Sequence, residues 1–269
     1  MTMRPKIAIV CQARMSSSRL PGKVLLPLSG APLLIRFLER IQRSVYSERL
    51  VVATTVLQVD DVIESLCADH GIEVYRGHPT DLLDRHFHAA RLVEADVVVK
   101  IPSDCPLIDP YVIDTVIEAF LERYPFVDYV SNLHPGTWPD GNDVEVMTML
   151  ALHRAWVSAR RPHEREHTTP WLWEGNPNVR ALNIVRPDGQ VLEHRHRWTI
   201  DYPEDYILIR SVYDTLYSSN PAFTCEDVLH VMAAHPEIDA ANKHLRGRSW
   251  YTEYLRAQAL SSPSPRIAS

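Results

Sequence analysis

The chain has 269 residues, 45% of them hydrophobic, which is enough for one sizeable core. Lysine and arginine number 28 against 34 aspartates and glutamates, and a formal charge of −6 argues against non-specific nucleic-acid binding. Cys11, Cys67, Cys105 and Cys225 form no CxxC pair and no ligand cluster, so neither a disulfide framework nor a structural zinc is expected. The opening apolar run is too short for a signal peptide and no stretch has the length of a membrane span. The expectation is a cytoplasmic protein with no membrane or nucleic-acid partner.

KIAIVC (6–11) predicts a buried strand, and the polar loop QARMSSSRLPGKV (12–24) separates it from APLLIRFLERIQRS (31–44), which is apolar at helical spacing. The alternation repeats: strand 49–55, helix 60–70, strand 72–77, helix 80–95, strand 95–102, helix 109–124. Strands this continuously apolar, joined by helices, indicate a mostly parallel sheet covered on both faces, an α/β architecture. After Tyr124 the pattern changes. FVDYVS (126–131) and VEVM (144–147) are short strand-like runs around HPGTWPDGND (134–143), and 148–161 is helical. The stretch 162–196 is polar, so 125–196 is expected as a small inserted lobe on a single domain spanning 1–259. HRWTI (196–200) predicts a strand, 203–218 a helix with proline at its start, and 223–237 a last helix. The segment 260–269, LSSPSPRIAS, predicts disorder.

Ligands of open parallel sheets bind beyond the carboxyl ends of the strands, and three polar stretches fall there. The loop after the first strand carries Arg14, Ser16, Ser17, Ser18, Arg19, Gly22 and Lys23. Guanidinium, ammonium and hydroxyl groups together suit a triphosphate, though the same loop also reads as a plain polar turn. It has neither the Walker A ending nor a GxGxxG. Asp104 lies in PSDCPLIDP (102–110), and Asp201 ends the apolar run in RWTIDYPED (197–205). Their matched settings make a shared Mg²⁺ plausible, since hard magnesium takes carboxylates plus substrate phosphates. Asp109 reads as a helix N-cap, and Glu204 and Asp205 as first-turn residues. A site basic on one side and acidic on the other is what phosphoryl or nucleotidyl transfer needs.

ARMSSSRLPGKVLLPLSGAPLL (13–34) resembles the N-terminal signature of the sugar-acid cytidylyltransferases, which make CMP conjugates of sialic acid and 3-deoxy-octulosonic acid. With VVATT (51–55), RGHPTDLLDRHFHAA (76–90), SDCPLIDP (103–110), DYVSN (128–132), GNDVEVM (141–147), REHTTP (165–170) and RWTIDYPEDYILI (197–209), the chain is most similar to the SpsF-type branch of that group. The resemblance implies a nucleotidyltransferase fold, an α/β/α sandwich related to GT-A glycosyltransferases, and Mg²⁺-dependent transfer of CMP from CTP to an acidic acceptor with release of pyrophosphate. Ala13, Arg14, Ser18, Arg19 and Lys23 are similar to the triphosphate loop, with Arg14 and Lys23 acting in catalysis. Asp104 and Asp201 resemble the metal pair, and Ala53, Thr54 and Arg85 fall where relatives surround the base. SDCP (103–106) stands where better-characterised members have a GDEP-like sequence, so Cys105 replaces their glutamate.

Acceptor contacts are expected from the polar lobe: Asn142, Asp143 and Glu145 flanking a strand edge, with Arg165 and His167 at a helix start. Arg165 suits an acidic acceptor, and His167 reads as an acceptor contact, a base or a packing residue. A homodimer is implied through the same lobe. Two other enzymatic readings stand beside this one. A glycosyltransferase consuming a nucleotide sugar needs no full triphosphate clamp. A nucleotidyltransferase using another NTP, with a sugar phosphate or phosphonate, tends to open on a glycine-rich loop that this chain lacks.

Overall fold

In the structure, a computed structural model describing residues 4–261, each apolar run of the first half becomes a strand, buried in three cases and half-buried in the edge strand 73–77. β1 (Ile7–Gln12) leads through the polar loop to a small hairpin, β2 (Pro27–Leu28) with β3 (Ala31–Pro32), and then to α1 (Leu33–Ile41). β4 (Leu50–Thr55), α2 (Asp61–Asp69), β5 (Glu73–Gly77), α3 (Leu82–Leu92), β6 (Val97–Lys100) and α4 (Pro110–Leu121) follow where the periodicity predicts them. β1 pairs in parallel with β4 and β6, and β4 with β5. Alternate residues of β1 feed opposite faces: Ile9 packs with α1 and α4, and Val10 with α3. Asp109 caps α4 as expected, accepting the Tyr111 N–H at 2.9 Å.

The strands of residues 125–196 join the sheet of the first half. β7 (Tyr129–Ser131), β8 (Glu145–Thr148) and β9 (Ala181–Asn183) extend the same sheet to the order β5-β4-β1-β6-β8-β7-β9. β8 lies antiparallel to both β6 and β7, so it alone runs against the other strands. Glu145 therefore sits on an internal strand rather than at an edge. α5 (Met149–Ser158) and α7 (Pro170–Trp173) pack on the α3 face, and α6 (Pro162–His167) lies between them in the chain. Arg165 and His167 end α6, where the sequence suggested a helix start.

Three expectations for the C-terminal third change. Residues 196–200 are extended but not a strand, bridging only at Asp140 and Arg197. α8 (Pro203–Leu216) begins on its proline, but 223–237 divides into α9 (Cys225–Ala234) and α10 (Pro236–Ala240), because Pro236 has no N–H to continue the helix. α11 (Trp250–Ser261) follows and takes in the first two residues of the segment read as disordered; the rest of that segment lies outside the described residues. Trp198, Ile200, α8 and α9 form a third cluster against Leu28, Leu33 and Leu107. No helix among the described residues is long and apolar enough to cross a membrane.

Backbone bonds rather than a ladder place the 197–200 segment. Trp198 N–H donates to the Asp140 carbonyl at 2.7 Å and Ile200 N–H to the Asp104 carbonyl at 2.8 Å. Gly141 makes this possible: its φ is +105°, and an added Cβ would lie 2.7 Å from the Trp198 carbonyl carbon. Gly141→Ala should therefore cost about 2 kcal/mol or more, from left-handed strain plus a clash with backbone that cannot move aside. A fall in the urea midpoint of that size at unchanged m checks this, and an unshifted midpoint would refute it.

Candidate active site

The loop after β1 turns back on itself. The Met15 carbonyl accepts N–H bonds from Ser17 at 3.0 Å and Gly22 at 2.9 Å, and Gly22 takes φ +71°. That turn delivers Lys23 into the protein, where it is 9% exposed. Its ammonium donates to the Ile200 carbonyl at 2.6 Å and to Asp201 Oδ1 at 3.0 Å, with Asp104 Oδ2 at 3.5 Å. Arg19 closes on Asp201 Oδ2 at 2.8 Å. The two carboxylates expected to share a metal thus meet around one lysine. Burial disfavours the Lys23 charge, but Asp104 and Asp201 outweigh it and hold the ammonium above its ordinary value. Burial likewise opposes the Asp201 charge, and Lys23 with Arg19 keeps that carboxyl below the usual range.

Beyond this cluster opens a cavity of about 340 Å³. Its lining includes the charged Asp104, Asp140, Asp143, Arg197 and Asp201 and the rings of His134, His167, Trp173, Trp250 and Tyr251. Arg197, which the sequence did not single out, is 1% exposed. It bonds Asp205 at 3.0 and 3.2 Å, Asp140 at 3.2 Å and Asp201 at 3.3 Å. Burial and then Asp104 push the Asp143 carboxyl up to about 7, and burial with Asp143 holds Asp140 well above its ordinary value. The site is short of positive charge.

A divalent cation fits that shortage. The donors are hard carboxylate oxygens, and Asp104 and Asp201 converge on one ammonium, although no group of three or more His, Cys, Asp or Glu among the described residues is placed to hold a metal by itself. Phosphate oxygens and water would complete such a shell, the usual arrangement for magnesium.

The remaining expected residues divide into two groups. Ala13, Arg14, Ala53, Thr54 and Arg85 gather on the β4 side of β1. Ala13 N–H donates to the Ala53 carbonyl at 3.3 Å, and so does Arg85 Nη1 at 3.4 Å. Arg85 Nε and Thr54 Oγ1 are buried without a partner, and burial, with the Arg14 charge, draws Arg85 down to about 10. Ser18 is exposed on the loop. These unmet donors lie apart from the cavity.

The expected acceptor residues fare differently. Asp143 lines the cavity, but Asn142 is occupied by backbone, accepting the Asp109 N–H at 3.0 Å and donating to the Pro139 carbonyl at 3.3 Å. Glu145, 2% exposed, pairs with Lys100 and accepts the Tyr129 hydroxyl at 2.6 Å, so it forms floor rather than a free contact. Arg165 is turned away, with Nε 2.7 Å from Asp81 Oδ2 and Nη1 2.6 Å from the Trp156 carbonyl. His167 stacks on Trp250 at 3.7 Å between ring centres. Burial, then Lys100, draws it down to about 3, so it is a neutral wall and a poor proton acceptor near neutrality. The aromatic alternation in PWLW was visible in sequence, whereas nothing in spacing linked Trp250 or Arg197 to the site.

Residues 7–224 match a family model described as Cytidylyltransferase. An uncharacterised protein of Methanocaldococcus jannaschii is 33% identical over 248 residues, covering 91% of this chain and 98% of that one. The spore coat polysaccharide biosynthesis protein SpsF of Bacillus subtilis is 28% identical, covering 86% and 95%. The structure of a cytidylyltransferase from Leptospira borgpetersenii superposes with a TM-score of 0.83 at 31% identity, over 92% of this chain and 100% of the other.

Two outcomes test these electrostatics. Lys23→Gln removes the cation between two carboxylates, which should destabilise the fold by about 3 kcal/mol in chelator. Added Mg²⁺ should then raise the melting temperature of the variant more than that of the unsubstituted protein; equal shifts would refute a shared carboxylate site. Behind the cavity, burial and Lys100 draw fully buried His86 down to about 3, with Nε2 unpartnered. The unfolded chain binds that proton near pH 6.5 and the folded chain does not, so stability falls as pH drops from about 6.5 towards 3. Each pH unit should cost about 1 kcal/mol through this group. Urea midpoints should drop between pH 7.5 and 5, less steeply in His86→Gln.

Proposed function

We propose, from the premise that this chain belongs to the cytidylyltransferase family, that it transfers CMP from CTP to a small acceptor carrying an acidic group, with Mg²⁺ held by Asp104 and Asp201. The observation that carries this is Lys23, buried between Asp104 and Asp201 with Arg19 at its side, where the β1 loop meets the cavity.

In the reaction an acceptor oxygen attacks the α-phosphorus of CTP, the bond to the β-phosphate oxygen breaks, and pyrophosphate leaves. Arg14, Ser18, Arg19 and Lys23 supply donors along one loop for the β- and γ-phosphates. Lys23 offsets the charge that grows on the leaving pyrophosphate. Bound magnesium would screen the α-phosphate and polarise it towards attack. The unmet donors of Arg85 and Thr54, beside Ala53, suit the carbonyl and ring-nitrogen acceptors of cytosine. On the other side of β1, the cavity holds the acceptor and its aromatic wall keeps out water. The resemblance to the SpsF-type branch supports this assignment, and it also carries our proposal of a homodimer.

Calorimetry with CTP, UTP, GTP and ATP in the presence of Mg²⁺ tests the reading before any acceptor is known. CTP should bind best, and Asp104→Asn should weaken it at least tenfold, about 1.4 kcal/mol. If all four triphosphates fail while a nucleotide sugar binds, the triphosphate clamp is wrong and the glycosyltransferase reading replaces it.

A further inference from the structure

One wall of the cavity comes from a part of the chain that the family model does not reach. The match ends at residue 224, yet residues 247–252 line the cavity continuously. This segment is tied to the rest of the site at Arg248 and closed on itself by Thr252. The Arg248 carbonyl accepts from Arg197 Nη1 at 2.8 Å, Thr252 Oγ1 donates to the Gly247 carbonyl at 3.2 Å, and Ser249 N–H donates to Thr252 Oγ1 at 3.0 Å. Gly247 takes φ +73°, which lets the chain turn into this position. Trp250 lies nearly parallel on His167, with ring centres 3.7 Å apart and 13° between planes. Tyr251 meets Trp173 edge-on at 5.0 Å, and Trp173 stacks on His134 at 3.8 Å.

The cations lining the cavity separate sharply by commitment. Arg19 holds Asp201, Lys100 holds Glu145, and Arg197 holds Asp205 and Asp140. Arg248 lines the same cavity, is exposed, and has no ion-pair partner for its guanidinium among the described residues. A guanidinium in that state is open to a bidentate carboxylate or phosphate. The flat aromatic surface two residues on suits the apolar C–H face of a ring.

We infer that residues 247–252 form the acceptor-recognition strap, with Arg248 binding the acceptor's anionic group and Trp250 seating its ring. The inference rests on the acceptor reading above and replaces Arg165, which Asp81 occupies, as the anion contact. It places acceptor choice on a segment separate from the loop that meets the triphosphate.

Ligand-observed saturation-transfer NMR without nucleotide tests the strap, using glucuronate and glucose 1-phosphate as anionic probes and glucose and glucosamine as controls. The anionic probes should receive saturation and the controls should not. Arg248→Gln should weaken the anionic probes at least fivefold, Arg248→Lys should keep most of the response, and Arg165→Gln should stay within twofold of the unsubstituted protein. Trp250→Ala should reduce transfer to the ring protons. The strap is overturned if Arg248→Gln leaves binding within twofold, if the controls bind equally well, or if neither anionic probe responds. It is also overturned if Arg14→Gln removes the response while Arg248→Gln does not, since the probes would then sit in the triphosphate loop. Calorimetry separates the two readings: CTP should bind the Arg248→Gln variant within twofold of normal. Failure of CTP to bind the unsubstituted protein would count against the cytidylyltransfer proposal alone.

Discussion

The site hangs on the buried guanidinium of Arg197. Removing a charge from water costs several kcal/mol unless every donor is met, and here the donors are met from four directions. Asp205, fully buried, takes two of them, while Asp140, Asp201 and the Arg248 carbonyl take the rest. Asp205 is itself a junction, because its Oδ2 also accepts the N–H groups of Asp201 and Tyr202 at 2.9 and 3.0 Å. Asp201 is thus positioned through its backbone by Asp205 and through its side chain by Arg197, Lys23 and Arg19. The same cation reaches Asp140 in the turn before β8 and the strap beyond α10. A single desolvated charge holds three chain segments in one register, which no apolar contact at this position would specify.

A second buried pair works in the same way. Lys100 and Glu145 face each other across β6 and β8, with the Tyr129 hydroxyl on the second carboxylate oxygen, and they form the cavity floor. Neither is available to a ligand without leaving its partner unpaired in a buried setting, a loss of several kcal/mol. Arg14 and Ser18 on the loop, Asp143 in the cavity and Arg248 on the strap have instead no ion-pair partner among the described residues, although Asp143 accepts the Gly141 N–H at 3.3 Å. Arg19 and Lys23, proposed to meet the triphosphate, are paired with Asp201, so binding would exchange one partner for another. Burial first, and then the Asp104 charge, push the Asp143 carboxyl up to about 7 against the opposing pull of Lys100.

How much of this was legible depends on how local the cause was. The four strand–helix units of the first half could be read because each strand is a continuous apolar run and each helix carries its own periodic stripe. Asp104 and Asp201 could be paired by their settings, although Asp201 follows an extended segment held by the Asp104 carbonyl rather than a strand. The misread residues share one feature: their roles are set by partners far along the chain. Arg165 looked free for an acceptor, yet Asp81 lies 84 residues away in sequence and touches it in space. Glu145 looked like an edge residue because four strand-like residues carry no mark of where in a sheet they will insert. Trp250 carries no local pattern that ties it to the site, and only tertiary stacking on His167 draws it there. The resemblance to a known family singled out the loop after β1, which the structure brings against Asp104 and Asp201, but it could not supply contacts from residues beyond the matched segment.

The reversed direction of β8 is what lets two separately encoded halves share one crevice. β1 lies where the strand order turns, with β4 on one side and β6 on the other, so the loop after β1 and the Asp104 turn after β6 open at the same end of the sheet. Had β8 run parallel to β6, the residues before it would have entered at the opposite end, displaced by the strand's length, about 10 Å. Because it runs antiparallel, with Glu145 opposite Lys100, the turn carrying Asp140 and Asp143 arrives beside Asp104. The loop after β1 and the Asp104 turn are built on strand ends that the core holds rigid. The Asp140–Asp143 turn and residues 247–252 meet them through Arg197. On the proposed assignment of acceptor and triphosphate, changes in residues 247–252 alter which acceptor is held while Asp104, Asp201 and the loop after β1 keep their positions, so long as the carbonyl that Arg197 grips stays in place.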